Sequence, residues 1–158
     1  IPEPLIQKNI SRVMSLRDGG KKMSKSDESG YSRINLKDTA DEIVKKIKKA
    51  KSDSLAIPES LKELESKPEA LNLLNIYTDI SKSSLEKTLK EMKGKNYSFL
   101  KNKLTDVLIE TICPIGKNIK ELLGDKVFLE RVINEGSEKA SKIAENNLKE
   151  IKKTVGLL

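Results

Sequence analysis

The feature that most constrains the fold is an apolar periodicity that begins near residue 39 and continues almost to the end of the chain. In this stretch Leu, Ile and Val recur every three or four residues, which places them on one face of an α-helix. Aromatic residues make up only 3% of the chain and Trp is absent, so the core must be aliphatic. Such a core suits packed amphipathic helices better than a β-sandwich. The sequence therefore predicts a mainly α protein with a bundle of about six helices.

Helix-start signals divide this stretch into separate helices. Thr39 with Glu42, and Ser83 with Glu86, stand at the spacing of a capping box, in which each residue satisfies a backbone N–H of the other. The predicted helices cover residues 39–51, 58–65, 68–80, about 83–94, 97–123 and 125–155.

Two residues should interrupt this helical pattern. Pro114 has no backbone N–H and is expected to kink or split the long helix that contains it. Gly136 lies between two apolar halves of the last helix and is expected to mark a break. Before residue 37 the pattern is different, because residues 13–16 form a brief apolar run that predicts a short strand followed by a polar loop.

The charge and the rarer residue types narrow the chemistry. The net charge of +7 makes phosphate-rich partners plausible, because lysines release counterions when they meet a phosphate backbone. There is no His and a single cysteine, Cys113. This excludes Ser-His-Asp and Cys-His catalysis, an internal disulfide and a Cys-based metal site, so no metal ligand is assigned. Only Arg12, Arg17, Arg33 and Arg131 are arginines, so bidentate guanidinium recognition is available at few places.

The chain shows no sign of membrane association. No apolar run approaches the ~20 residues of a membrane span, and no signal peptide opens the sequence. A cytoplasmic protein with no membrane partner is therefore expected. The sequence begins at Ile1 instead of Met, which leads us to expect a fragment of a longer polypeptide.

The chemistry that the sequence does offer lies in residues 22–26, which read KMSKS and are called the KMSKS loop below. Lys22 and Lys25 are spaced by three in a small, polar segment. Two ammonium groups on such a loop can close over a polyphosphate and stabilise the charge that develops on a leaving pyrophosphate. Ser24 and Ser26 can add hydroxyl and backbone N–H contacts. A charged loop of this composition is ordinarily only solvated, so the spacing of the two lysines does not by itself indicate phosphate binding.

A resemblance favours the phosphate-binding interpretation. The KMSKS loop matches, at all five positions, the second signature of the class I aminoacyl-tRNA synthetases. Further stretches extend the resemblance beyond the loop, namely RVMSLRDGGKKMSKSD, Ile34-Asn35-Leu36 with Asp38, Ser52-Asp53-Ser54, Leu73-Leu74-Asn75-Ile76-Tyr77 and Glu135-Gly136-Ser137-Glu138-Lys139-Ala140. Over nearly the whole chain these stretches resemble the tryptophanyl-tRNA synthetases of bacterial or organellar type. The first signature of that class, of HxGH or TxGN type, is absent from this sequence.

The resemblance implies roles for the five loop residues. Lys22 and Lys25 would be catalytic, contacting the ATP phosphates and steadying the leaving pyrophosphate. Met23 would lie near the adenosine, and Ser24 and Ser26 would support the loop and the phosphates. The implied reaction joins tryptophan and ATP, accompanied by Mg²⁺, into tryptophanyl-adenylate and then transfers tryptophan to tRNA(Trp). The parent protein would be a homodimer.

The resemblance also implies a division of the chain. Residues 1–36 would be the end of a Rossmann-like catalytic domain, with its last strand and the KMSKS loop, and residues 37–158 a helical anticodon-binding domain. The tryptophan pocket would lie outside this chain, so the chain alone is expected to form no adenylate. Lys45 and Lys49 are candidates for contacts with tRNA phosphates, the alternative being a merely solvated face. They belong to a lysine-rich face of the first predicted helix, made of Lys45, Lys46, Lys48, Lys49 and Lys51.

Two other functions stay open on the sequence. A tyrosyl-tRNA synthetase fragment would carry a related loop and a related helical domain. A non-catalytic basic helical module that binds RNA would share the charge and the helices, and would perform no chemistry.

Overall fold

The computed structural model describes residues 2–4 and 12–158, and within them the fold is mainly helical, as the periodicity predicts. The α-helices are α1 (Ala40–Lys49), α2 (Leu61–Glu65), α3 (Pro68–Ile80), α4 (Leu85–Met92), α5 (Tyr97–Gly124) and α6 (Lys126–Thr154). The chain forms two compact units, Ile1–Gly116 and Lys117–Leu158. The predicted boundary near residue 37 lies inside the first unit.

The core of the first unit is almost wholly aliphatic, as the scarcity of aromatic residues requires. Tyr77 and Tyr97 are the aromatic side chains that complete it. Its fully buried aliphatic side chains are Leu16, Ile43, Ile47, Ile57, Leu64, Leu73, Leu74, Met92, Leu100 and Leu104.

The start of α1 follows from its capping residues. The Thr39 amide donates to Glu42 Oε2 at 2.7 Å, and the Glu42 amide donates to Thr39 Oγ1 at 3.3 Å. Both halves of the predicted capping box are therefore present. The box fixes the rotation of α1, which turns Ile43 and Ile47 into the core.

The capping box predicted at Ser83 and Glu86 is wrong by one residue. The amide of Ser83 donates to Thr78 O at 3.0 Å and so completes the carboxyl end of α3. The next residue, Ser84, caps α4 instead, with its hydroxyl accepting from the amide of Lys87 at 3.3 Å. Ser83 cannot begin one helix while its backbone finishes the previous one.

The predicted interruptions at Pro114 and Gly136 do not occur as breaks. α5 continues through Pro114 and α6 continues through Gly136. A proline that removes one backbone hydrogen bond can kink a helix without ending it, so the kink expected at Pro114 stays a prediction. A glycine in a helix costs about 1 kcal/mol relative to alanine, which is too little to end a helix of this length.

The second unit consists of the end of α5 and the whole of α6. Asp125 caps α6, with its side chain accepting from the amide of Phe128 at 2.9 Å. No residue of α6 is buried, and Ile133 and Ile143 are 66% and 65% exposed. The apolar face that the sequence predicts for this helix therefore lies at the surface of the unit. None of the described helices is long and apolar enough to cross a membrane.

The short strand predicted at residues 13–16 is wrong. This segment forms one isolated antiparallel bridge, between Met14 and Lys22. The backbone N–H and C=O of Met14 are both taken by the side chain of Asn72 on α3, at 3.0 and 2.9 Å. The bridge to Lys22 is made by the neighbouring residues Val13 and Ser15, so Asn72 occupies the opposite edge of the segment and no second strand can pair with Met14 there.

Candidate phosphate-binding loop

The KMSKS loop presents its polar residues to solvent and its methionine to the protein. Lys22, Ser24, Lys25 and Ser26 are exposed. Met23 is half-buried and packs against the hydrophobic core. This contact holds the middle of the loop while both ammonium groups extend into water.

A short antiparallel pairing explains this orientation. The Met23 amide donates to Val13 O at 3.0 Å, and the Ser15 amide donates to Lys21 O at 2.8 Å. Successive side chains of an extended, paired segment point to opposite faces. With Met23 turned towards the core, the neighbouring Lys22 is turned towards solvent.

The segment that precedes the loop is fixed on α3. Asn72 brackets Met14 as described above, and the backbone at Gly19 comes still closer to the helix. A Cβ atom at Gly19 would lie 2.6 Å from both the carbonyl carbon of Pro68 and the amide nitrogen of Glu69. Only glycine allows this approach, so Gly19 serves packing against the start of α3.

Inside the loop, a hydroxyl closes the turn. Ser24 Oγ accepts from the amide of Ser26 at 3.3 Å and lies 3.2 Å from Ser26 Oγ. Just after the loop, the amide of Ser29 donates to Asp27 Oδ1 at 2.8 Å. These local hydrogen bonds replace backbone partners that a loop otherwise lacks.

Arg33 contacts the far side of the same turn. Its Nη1 donates to the carbonyl oxygen of Asp27 at 2.9 Å and lies 3.4 and 3.5 Å from those of Ser24 and Ser29. The contact with Asp27 has ideal length, and the other two are longer, shared contacts. One guanidinium nitrogen therefore lies within hydrogen-bonding distance of three carbonyl oxygens, one in the loop and two just after it.

Arg33 is in turn connected to α1. Its Nε donates to Asn35 Oδ1 at 3.2 Å, and Asn35 donates to Asp38 from its amide at 2.8 Å and from Nδ2 at 3.0 Å. Asp38 pairs with Lys46, and both side chains are at most 10% exposed. Burial raises the pKa of Asp38, but the hydrogen bonds from Lys46 and Asn35 outweigh it and hold the pKa below its usual value.

The two loop lysines keep their charge available for a ligand. Within residues 2–4 and 12–158, neither Lys22 nor Lys25 forms an ion pair, whereas Lys21 pairs with Asp18 at 3.4 Å. The described residues also contain no group of three or more Asp, Glu, His or Cys that could hold a metal ion. The loop is thus an exposed cationic surface suited to an anion.

The lysine-rich face predicted on α1 is smaller than the sequence indicates. Lys45 is exposed, as predicted. Lys46 is buried in its ion pair and does not belong to the face. Lys49 is exposed, with its Nζ 4.3 Å from the ring centroid of Tyr31, and Lys51 pairs with a glutamate of α3 at 2.7 Å. Lys45 and Lys49 are therefore both exposed on α1, which follows the KMSKS loop in the sequence.

Sequence reasoning missed Arg33 as a residue of the site. The only signal was the scarcity of arginine, since most cationic residues of the chain are lysines. The number of residues between the loop and Arg33 does not indicate a contact unless the fold of the turn between them is known.

Comparison with known proteins identifies the family. Residues 1–112 match the family described as tRNA synthetases class I (W and Y). The chain belongs to this family. The KMSKS loop of this class I synthetase chain lies within the matched residues, as does the Arg33 network.

Curated relatives match the class I synthetase chain over almost its full length. The Tryptophan--tRNA ligase of Mesorhizobium japonicum is 45% identical over 158 residues, which are 100% of this chain and 44% of the relative. Those of Caulobacter vibrioides and Rickettsia felis are each 44% identical and are covered over 45% and 47% of their length. The chain thus spans less than half the length of the curated relatives it matches.

A solved structure supports the same assignment. The crystal structure of tryptophanyl-tRNA synthetase from Mycoplasma pneumoniae superposes with a TM-score of 0.57 at 30% identity. The match covers 73% of this chain and 36% of that structure. The helical architecture of this synthetase chain is therefore one that a solved family member shares.

Proposed function

We propose that the chain acts as part of a tryptophan--tRNA ligase, in which the KMSKS loop binds the phosphates of ATP during formation of tryptophanyl-adenylate. The observation that carries this proposal is the pair Lys22 and Lys25, which are exposed and free of ion pairs among the described residues, on a loop of defined shape. The relatives reported above, each named Tryptophan--tRNA ligase, favour tryptophan over tyrosine as the amino acid.

The chemistry follows from the charges. The tryptophan carboxylate attacks the α-phosphorus of ATP, and the bond to the bridging oxygen breaks, so that pyrophosphate leaves with the electron pair. The ammonium groups of Lys22 and Lys25 stabilise the negative charge that grows on that leaving group, and they bind it more strongly than they bind ground-state ATP. Ser24 lies between the two lysines and Ser26 follows Lys25, and the hydroxyl groups of both can donate hydrogen bonds to phosphate oxygens.

Magnesium ions would reach this site with the nucleotide. Mg²⁺ commonly keeps several waters and binds substrate phosphates together with one or two carboxylates. The described residues do not fit a dedicated metal site, because no acidic cluster occurs among them. The proposed role of this chain is therefore confined to the lysines and the loop backbone.

The helical part is proposed to contact tRNA(Trp). Lys45 and Lys49 are exposed on one surface of α1, and exposed lysines contribute to RNA affinity by neutralising phosphates and releasing counterions. A role in anticodon binding, and a homodimeric parent, are part of the same proposal.

The central test is tryptophan-dependent ATP–pyrophosphate exchange, measured on the protein expressed from the complete reading frame that encodes this chain. Lys22→Ala and Lys25→Ala should each lower kcat about 10²-fold, as the loss of one preorganised donor to a developing charge does. The KM for tryptophan should not change. Lys21→Ala is the matched control, because Lys21 is adjacent in sequence but pairs with Asp18.

The outcomes separate the rival functions. Exchange that depends on tyrosine instead of tryptophan would identify a tyrosyl-tRNA synthetase. RNA binding without exchange for either amino acid would identify a non-catalytic RNA-binding module. The isolated 158-residue chain is predicted to show no exchange, and detectable exchange from it would contradict the division of labour proposed here.

The tRNA contact has its own test. The double variant Lys45→Glu with Lys49→Glu should weaken tRNA(Trp) binding and make it less dependent on salt, with each lost phosphate contact reducing the slope by about 1. The pair Lys62→Glu with Lys87→Glu, exposed lysines on α2 and α4, is the charge-matched control. An unchanged affinity and slope in the α1 variant would leave a merely solvated face.

A further inference from the structure

We propose that Arg33 is the positioning residue that sets the shape of the KMSKS loop, and that the loop binds phosphate productively only while Arg33 holds it. This inference rests on the proposed function of the loop. Arg33 does not belong to the KMSKS signature, and we assign it no contact with the nucleotide. It acts on Lys22 and Lys25 through the backbone that carries them.

The contacts of Arg33 converge on the loop and on the residues that follow it. Arg33 Nη1 reaches Ser24 O, inside the loop, and Asp27 O and Ser29 O, just beyond it. Three carbonyl groups that point at one cation have their dipoles forced together, which is unfavourable without the charge. The folded turn therefore needs a cation at this place, and among the described residues Arg33 provides it.

The shape of the arginine side chain suits this position. A guanidinium group is planar and carries donors in a fixed fork, whereas an ammonium group is a point charge on a flexible stem. Arg33 uses two branches of this fork in different directions, Nη1 towards the loop and Nε towards Asn35. A lysine at this position could bind the loop carbonyl groups or Asn35, but not both at the same time.

The residues that hold Arg33 in place are themselves firmly held. Asn35 is held twice by Asp38, and Asp38 is paired with Lys46 in a place where both side chains are nearly excluded from water. Lys46 lies within α1, whose Ile43 and Ile47 are fully buried. The hydrogen-bonded series Arg33–Asn35–Asp38–Lys46 thus ties the loop to the core of the first unit.

Loss of Arg33 should consequently displace the loop without removing any of its lysines. A misplacement of about 1 Å can reduce a rate about 10²-fold, even when it originates away from the reacting atoms. The defect should appear in kcat for the ATP step, and not in the KM for tryptophan, since the loop is proposed to contact ATP and not tryptophan.

The first experiment measures the loop directly by amide hydrogen exchange in the protein expressed from the complete reading frame. Arg33→Gln should raise the exchange rate of residues 24–29 about tenfold and leave α1 and α3 unchanged. Arg33→Lys should give an intermediate rate. Arg17→Gln is the matched control, because Arg17 is an exposed arginine of the same stretch whose guanidinium makes no hydrogen bond with the described residues.

The second experiment measures function in the same variants. Tryptophan-dependent ATP–pyrophosphate exchange, expressed per active site from the burst of adenylate, should fall about 10- to 100-fold in kcat for Arg33→Gln, with partial recovery in Arg33→Lys. The KM for tryptophan should stay the same. A purely structural role would reduce the number of active sites and leave the rate per site unchanged.

The results distinguish failure of this inference from failure of the proposed function. The role of Arg33 would be overturned if the amide hydrogen-exchange rate of residues 24–29 were unaltered in Arg33→Gln, or if the rate of ATP–pyrophosphate exchange per active site were unaltered. Neither result would contradict the ligase activity. If the unsubstituted protein shows no tryptophan-dependent exchange, the proposed function fails, and inorganic pyrophosphate then serves as the probe. Pyrophosphate should slow amide exchange in the loop of the unsubstituted protein more than in Arg33→Gln, and equal effects would overturn the inference.

Discussion

The ion pair between Asp38 and Lys46 gives the most direct test of the energetics of the first unit. The two side chains are 7% and 10% exposed, so replacement of Lys46 by methionine leaves a carboxylate in a site that excludes water. Removal of one partner from a buried pair costs about 3–5 kcal/mol. Asp38 keeps two hydrogen bonds from Asn35, at 2.8 and 3.0 Å, so the lower end of this range applies. We expect Lys46→Met to lower the free energy of unfolding by about 3 kcal/mol.

The pH dependence of this effect has a defined sign. The pKa of Asp38 is lower in the fold than its ordinary value of 3.8, so the pair stabilises the fold above that value. The stabilisation is lost as the pH falls through the lower, folded-state pKa. The difference between the unsubstituted protein and Lys46→Met should therefore be largest near neutral pH and shrink below about pH 4.

Urea unfolding followed by far-UV circular dichroism measures both effects. Lys45→Met is the matched control, because it removes an exposed charge from the adjacent position of α1 and should change the free energy of unfolding by less than about 0.5 kcal/mol. Asp38→Asn combined with Lys46→Met completes a double-mutant cycle with a coupling energy of about 2 kcal/mol. A cost below about 1 kcal/mol for Lys46→Met, or a cost that does not change in acid, would refute this reasoning.

Other features of the structure lead to further measurable expectations. Gly19→Ala should destabilise the first unit by about 1–3 kcal/mol in the same urea assay, because the new methyl group would lie 2.6 Å from backbone atoms of α3. Gly136→Ala should instead stabilise α6 by about 0.5–1 kcal/mol, and equal effects of the two substitutions would contradict the close approach at Gly19. Burial raises the pKa of Tyr97 to about 12, so in a chain without Trp the ultraviolet titration of the tyrosines should show a late step that disappears in Tyr97→Phe. Lys101 Nζ donates to Ala50 O at 2.7 Å at the end of α1, so Lys101→Met should lower the free energy of unfolding by about 1–2 kcal/mol. If the stability of this variant is unchanged, the contact contributes nothing.

Local signals in the sequence correctly predict the start of a helix when a single residue determines it. Thr39 caps α1 at the predicted position, and Pro68 is the first residue of α3. The adjacent serines Ser83 and Ser84 both suit a cap, and the choice between them depends on how α3 ends. That choice follows from backbone hydrogen bonds between turns, which residue spacing alone does not reveal.

Tertiary pairing explains the remaining differences. The sequence places Lys46 beside Lys45 on a lysine-rich face, but Asp38 draws Lys46 into the protein. Arg33 likewise acquires its place only when the turn after the KMSKS loop has formed. The sequence did predict the loop itself, since residues 22–26 match a complete signature and the structure places both lysines at the surface. What it could not predict was the side chain that holds the loop.

The two fixed ends of the KMSKS loop have a consequence for how tightly it can bind an anion. Ordering one residue of free chain costs about 1–2 kcal/mol in conformational entropy, and a ligand that orders a loop must offset this cost. Asn72 and the backbone pairing at Met23 fix the approach to the loop, while Arg33 fixes its exit. Much of the entropy is therefore lost when the protein folds and not when a ligand arrives, which favours the phosphate binding that we propose for two lysines and a few hydroxyl groups.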